Sequence, residues 1–283
     1  MSESLLKSDE LAPAMILNPD ASSPIVLVCE HASDRLPSGL DGQYPAALMA
    51  THFACDWGTR ELVTELAALL DATAVVANYS RIVIDCNRRL ADPTLVLSHA
   101  DGVPVQPNTG LNRVDLQQRI DQLYVPFHAT VSQTLMAKER QGRLPVYVAI
   151  HSFTPRFDGE KRPWDIGIMS DHDRRFADPV IAALSNESGI VVGDNKPYSG
   201  REVQDFSVDY HAERAGLANV AIEVRQDHLT DSKGVGDWSA RLSRVLSSSM
   251  MDNLTQARLP VSGLVADFSE EQRLVSASER SAE

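Results

Sequence analysis

His31, His151 and Glu223 are far apart in the chain, yet each stands at the end of, or inside, an apolar run. Two imidazoles and a carboxylate are a common ligand set for catalytic zinc, with one coordination position left for water. Their spacing forms no compact local motif, so such a site would have to be assembled from separate strands. A second chemical cluster is Ser80-Arg81-Ile82-Val83-Ile84-Asp85-Cys86-Asn87-Arg88-Arg89. Its β-branched centre predicts a buried strand that presents Asp85, Asn87 and Arg88 together at its carboxyl end, a clamp for an anionic substrate. An arginine pair capping a sheet edge is the equal alternative from these residues alone.

Each candidate has a plainer reading. His31 could be a hydrogen-bonded histidine at a strand end, and Glu223 a buried acid paired with Arg225 on the same strand face. His151 precedes Ser152, but the G-x-S-x-G elbow of serine hydrolases is absent from the chain. Asp56 stands just before a helix and reads equally as an N-cap or a metal ligand. Asp34, three residues after His31, competes with it. His128 reads as a helical group behind a site or as an exposed histidine.

These residues need elements to hold them. Residues 24–31, PIVLVCEH, read as a central strand that delivers Glu30 and His31 to its tip. Leu62, Leu66, Leu69 and Leu70 recur at helical spacing between Trp57 and Leu70, with Glu61 and Glu65 facing outward. The strand TAVVANY leads to the Ser80–Arg89 segment, and residues 91–113, rich in proline and glycine, read as a long loop. Asn112 to Gln141 is a long helix broken near Pro126. Residues 145–152, PVYVAIHS, repeat the pattern of an apolar strand ending in histidine. Strands at 165–169, 190–192 and 219–225 alternate with helices at 176–188, 206–215 and 236–256. Such alternation predicts an α/β layered sheet whose carboxyl edge collects the histidines and the glutamate.

A chain of 283 residues suits one large domain. No apolar run approaches the ~20 residues that span a bilayer, and MSESLLKSDELAPAM has no secretory pattern, so a cytoplasmic location is expected. Cys29, Cys55 and Cys86 are unpaired in spacing and read as buried thiols. The net charge of -13 argues against nonspecific nucleic-acid binding and requires local arginines to hold any anionic ligand.

The blocks CEHAS, SRIVIDCNRR, AIHSFTP, KPYSG and AIEVRQD, in that order, resemble the N-formylglutamate amidohydrolase family from about Val26 to Asp227. The resemblance implies a single three-layer α/β/α domain around a mixed, mostly parallel sheet, phosphorylase/hydrolase-like and related to zinc carboxypeptidases and aspartoacylase. Its expected limits are a 1–20 extension, a 21–260 amidohydrolase domain and a polar 261–283 tail. It implies one zinc ion on His31 and His151, with Asp56 favoured over Asp34 as third ligand, and Glu223 as general base. By the same resemblance Arg81 polarises the scissile carbonyl, Asn87 and Arg88 grip a substrate carboxylate, and Tyr198 and Arg201 line the pocket. The implied substrate is N-formyl-L-glutamate or a similar small anionic N-acyl amino acid. The alternatives are a deacylase for another acyl group and a non-catalytic metal- or anion-binding member of the fold.

Overall fold

Seven short aliphatic runs pair into one sheet in the computed structural model, which describes residues 4–201, 206–250 and 253–259. They are β1 (Ala14–Leu17), β2 (Ile25–Cys29), β3 (Thr73–Ala77), β4 (Val146–Phe153), β5 (Ile166–Met169), β6 (Val192–Asp194) and β7 (Asn219–Arg225). The spatial order is β1-β3-β2-β4-β7-β5-β6. Neighbours from β3 through β2 and β4 to β7 are parallel, while β1 on β3 and β5 on β7 are antiparallel. The result is a single α/β domain on a mixed, mostly parallel sheet. Because β2, β4 and β7 run the same way, their carboxyl ends share one edge.

The principal helices are α1 (Thr59–Leu69), α2 (Arg113–Arg119), α3 (Val125–Arg140), α4 (Ala177–Ser185), α5 (Phe206–His211) and α6 (Ser232–Ser249). Every residue of β2, β3 and β4 is buried, as a strand covered on both faces requires. On one face Leu27, Val148, Ile150 and Ile222 pack with Leu62 and Leu66 of α1, Val180 of α4 and Leu242 of α6. On the other, Val26, Val28 and Ala149 pack with Phe127 and Val131 of α3 and Phe206 of α5. No helix among the described residues is long and apolar enough to cross a membrane.

Several elements depart from expectation. Ile82, Val83 and Ile84 are buried, but Ile82 and Val83 lie in a turn and Ile84 in irregular backbone rather than in a strand. Their apolar side chains are covered in the second core layer. Side chains instead of a neighbouring strand take up the backbone carbonyls: Asn108 Nδ2 donates to Ile82 O at 2.8 Å, and Arg119 Nη1 to Val83 O at 2.8 Å. The segment therefore satisfies burial and backbone pairing without joining the sheet.

The 1–20 segment contains an edge strand, β1, that the sequence reading left out. Leu69, placed on the buried face of its helix, is 57% exposed. The expected break near Pro126 takes the form of a π-helical turn, Ile120–Tyr124, between α2 and α3. A strand expected at 190–192 lies at Val192–Asp194. The expected polar tail at 261–283 lies outside the described residues.

Candidate active site

Strand ends and register bring the first groups together. Glu30 and His31 follow directly on β2, while β4 and β7 pair so that His151 lies opposite Glu223. The third component comes from the start of α1. Asp56 N–H donates to the His31 carbonyl at 3.0 Å, and the chain then enters the helix through Gly58 at φ +81°. An added Cβ at Gly58 would lie 2.4 Å from Leu229 Cβ, so both the left-handed backbone and the close packing require glycine.

Asp56 Oδ2 lies 3.3 Å from His31 Nδ1 and 3.1 Å from His151 Nδ1. These three buried ligand atoms all fall within 4.8 Å of one another. Asp56, not Asp34, thus joins the histidines; Asp34 is exposed. Nor does Asp56 cap α1 with its side chain, because its carboxylate is turned to the imidazoles and to Arg81.

The far atoms of His31 and Asp56 are also held. His31 Nε2 lies 2.7 Å from Asp85 Oδ1, and Arg81 Nη1 donates to Asp56 Oδ1 at 3.3 Å. Asp85 Oδ2 accepts from Arg81 Nε and Nη2 at 3.0 and 2.6 Å. His151 Nε2 faces Glu30 Oε2 at 3.3 Å. Buried carboxylates paired in this way titrate low: burial opposes ionisation of Asp56, but His31, His151 and Arg81 outweigh it. Asp85 is likewise held well below the usual carboxylate range, against burial, by Arg81, His31 and Arg88. His151 moves the other way. Burial disfavours its cation, yet the Asp56 hydrogen bond and the charges of Glu30, Glu223 and Asp56 push it up to about 10.

These groups form part of the lining of a cavity of about 280 Å³, a size suited to a small molecule. His31, Asp56, Arg81, Asn87, Arg88, His151, Tyr198 and Glu223 all line it. Arg88 is braced by Nε donating to Thr94 Oγ1 at 3.1 Å and Nη1 to the Asn87 carbonyl at 2.9 Å. Tyr198 is carried over the sheet where Gly167, paired with Glu223, lets the Lys196 carbonyl approach to 2.2 Å of a would-be Cβ. The Tyr198 hydroxyl accepts from Arg162 Nη2 at 3.0 Å. Arg201 is exposed and is not part of the lining. Arg89 pairs with Asp209 and sits over the Phe206 ring, also outside the lining.

Arg225 binds Asp165, Asp227 and the Trp164 carbonyl. Ser152 Oγ donates to the Trp57 carbonyl, not to His151. His128 is fully buried beside His211. The three cysteines are buried and free, and burial first pushes the Cys55 thiol up to about 12, assisted by Asp56.

Two contributions were missed from sequence. Asp85, expected beside Asn87 and Arg88 in the clamp, instead holds both Arg81 and His31. His52, which precedes the Asp56 block by four residues, lines the cavity and titrates low through burial and the Arg81 charge.

A model of the N-formylglutamate amidohydrolase family matches residues 23–230. The crystal structure of gene product Atu2144 from Agrobacterium tumefaciens is 30% identical, with 87% of this chain and 97% of that chain covered and a TM-score of 0.83. The N-formylglutamate amidohydrolase from Ralstonia eutropha JMP134 is 19% identical, with 84% and 97% covered and a TM-score of 0.59, a likeness of fold. No curated protein matches the chain. The family match spans most of the sheet and every lining residue of the cavity, and the chain belongs to the N-formylglutamate amidohydrolase family, as an amidohydrolase.

Proposed function

We propose that the chain hydrolyses the amide bond of N-formyl-L-glutamate, or of a similar small N-acyl amino acid, to formate or the corresponding carboxylate and the free amino acid. One zinc ion held by His31, Asp56 and His151 is part of this reading. The observation that carries it is the convergence of two imidazole nitrogens and a carboxylate oxygen within 4.8 Å in the wall of a cavity that also holds Glu223 and Arg88. Two neutral nitrogens and one anionic oxygen suit zinc, and Asp85 and Arg81, which fix the far sides of His31 and Asp56, are of the kind a zinc site uses to set tautomer and orientation.

When bound there, a divalent ion supplies a Lewis acid for the acyl oxygen and makes water a better nucleophile at neutral pH. The chain's own groups do the rest. Glu223, on the strand beside His151, takes the proton from the attacking water and returns it to the departing nitrogen, so that the amine leaves neutral. Arg81 uses Nε, Nη1 and Nη2 on Asp85 and Asp56. A guanidinium has five N–H groups, so the fork can still turn a donor toward the oxygen on which charge develops. Asn87 and Arg88 hold the carboxylate of the amino acid, and Tyr198 closes the rim. Arg201, exposed beside that rim, is proposed only for contacts at the mouth.

The test is release of formate from N-formyl-L-glutamate by purified protein together with elemental analysis. We expect about one zinc per chain and turnover, and Glu223→Gln should keep zinc while losing about 10²–10⁴-fold in kcat. Unchanged activity in that variant removes Glu223 as the base. Tight zinc without hydrolysis of any N-acyl amino acid would make the chain a binding protein.

A further inference from the structure

Behind His151 the buried floor contains polar groups that the hydrolysis does not use. Glu30 is the first residue past β2, and its side chain is completely covered. Burying a carboxylate is costly unless its oxygens are well partnered. Glu30 Oε1 accepts from the Tyr147 hydroxyl at 3.2 Å. That hydroxyl lies 3.0 Å from Ser207 Oγ on α5, and the Ser207 backbone N–H donates to Asn87 Oδ1 at 2.9 Å. Tyr147 is four residues before His151 on β4, so strand alternation puts both on the same face.

The other end of Glu30 shows what the chain of contacts is for. Glu30 Oε2 and His151 Nε2 are both buried, and among the described residues neither has a hydrogen-bond partner. They face each other across 3.3 Å. His151 Nδ1, on the opposite side of the ring, is turned to Asp56 Oδ2 at 3.1 Å. An imidazole that offers the lone pair of Nδ1 to a metal carries its proton on Nε2. In that tautomer the Nε2–H lies on the side of the ring that faces the Glu30 carboxylate, a 3.3 Å contact that rotation of either side chain would close into a hydrogen bond and so give both atoms a partner.

We propose that Glu30, Tyr147 and Ser207 form a positioning chain between the metal site and the substrate wall. At one end Glu30 holds His151 in the tautomer and rotation that present Nδ1 to a divalent ion. At the other, Ser207 fixes the Asn87 amide with its oxygen toward α5 and its amino group turned away from it, the orientation in which Asn87 can donate to an anion. Tyr147 couples the two ends, since its hydroxyl is shared by Glu30 and Ser207. The proposal rests on reading His31, Asp56 and His151 as a metal site.

The experiment is zinc affinity, measured by competition with a chromogenic chelator, for the parent chain, Glu30→Gln and Tyr147→Phe. Zinc should bind about 10–100-fold more weakly to Glu30→Gln, and Tyr147→Phe should change in the same direction by a smaller factor. In proton NMR of the zinc-loaded parent, a low-field imidazole N–H resonance is expected, and it should move upfield in Glu30→Gln. Tyr147→Phe removes one hydroxyl and carries the test should Glu30→Gln fail to fold. Zinc affinities within twofold of the parent in both variants overturn the chain while leaving the hydrolase reading intact. Weakened zinc in the variants without turnover of N-formyl-L-glutamate by the parent keeps the chain and removes that substrate. A parent that binds no zinc overturns both.

Discussion

At the level of single residues, His31, His151 and Glu223 were legible because each closes or interrupts an apolar run, where a polar side chain must have a local reason to be. Asp56 was not decided by sequence, since an aspartate before a helix serves equally as a cap. Its carboxylate faces two imidazoles and a guanidinium instead. Arg88 illustrates the same limit: its type suggested a carboxylate grip, but only its place in the cavity wall separates it from Arg89, which turns to Asp209. A charge-assisted contact to a substrate carboxylate contributes about 1.5–3 kcal/mol in ground and transition states alike. Arg88→Ala should therefore raise KM for N-formyl-L-glutamate by about 10–150-fold with kcat changed little, and steady-state kinetics check this. A loss confined to kcat would move Arg88 to the reacting carbonyl.

At the level of elements, the junction before α1 decides where Asp56 stands. Gly58→Ala would place a Cβ 2.4 Å from Leu229 Cβ while keeping φ at +81°. A left-handed non-glycine residue costs about 1–2 kcal/mol and overpacking about 1–3 kcal/mol, so denaturant unfolding should show a loss of about 2–5 kcal/mol. Gly39→Ala, with nothing within 4 Å of the added Cβ, should stay within about 0.5 kcal/mol of the parent.

The contact of α3 with α5 carries a second expectation. His128 Nδ1 and His211 Nε2 lie 2.9 Å apart in full burial, an arrangement in which one ring must accept and so must be neutral. Burial lowers His128 to about 3, and burial with His128 nearby lowers His211 well below its ordinary value. Both rings bind protons more readily once unfolded, so the stability they confer is complete above pH 6.5 and is lost as pH falls toward the folded value. For His128 alone the loss is about 2 kcal/mol at pH 5. Thermal unfolding followed from pH 7 to pH 5 should show Tm falling, with a shallower fall in His128→Gln.

For the whole molecule, a ligand that binds only the folded site stabilises the entire domain. Under the proposed reading, zinc at a hundredfold excess over its Kd should add about 2.7 kcal/mol, which for a chain of this size should raise Tm by roughly 5–10 °C. A chelator should remove that increment and added zinc should restore it in the parent. In Asp56→Ala the same scan should show no zinc-dependent shift, because one of the three converging ligand atoms is gone.

The layered α/β order and the single domain could be read from sequence because periodicity reports burial, and burial on both faces marks strands of a parallel sheet. The same rule misread Ile82–Ile84, since an apolar run reports that a segment is covered but not what its backbone bonds to; Asn108 and Arg119 supply those bonds from 26 and 36 residues away. Local sequence thus determined most of the buried apolar runs and placed His31 and His151 at the ends of two of them, but not Leu69 or the backbone of Ile82–Ile84. Tertiary structure alone decided which of those groups meet. His31, Asp56 and His151 come from three separate segments, and their convergence depends on strand order, on register and on the turn at Gly58, none of which is a property of neighbouring residues.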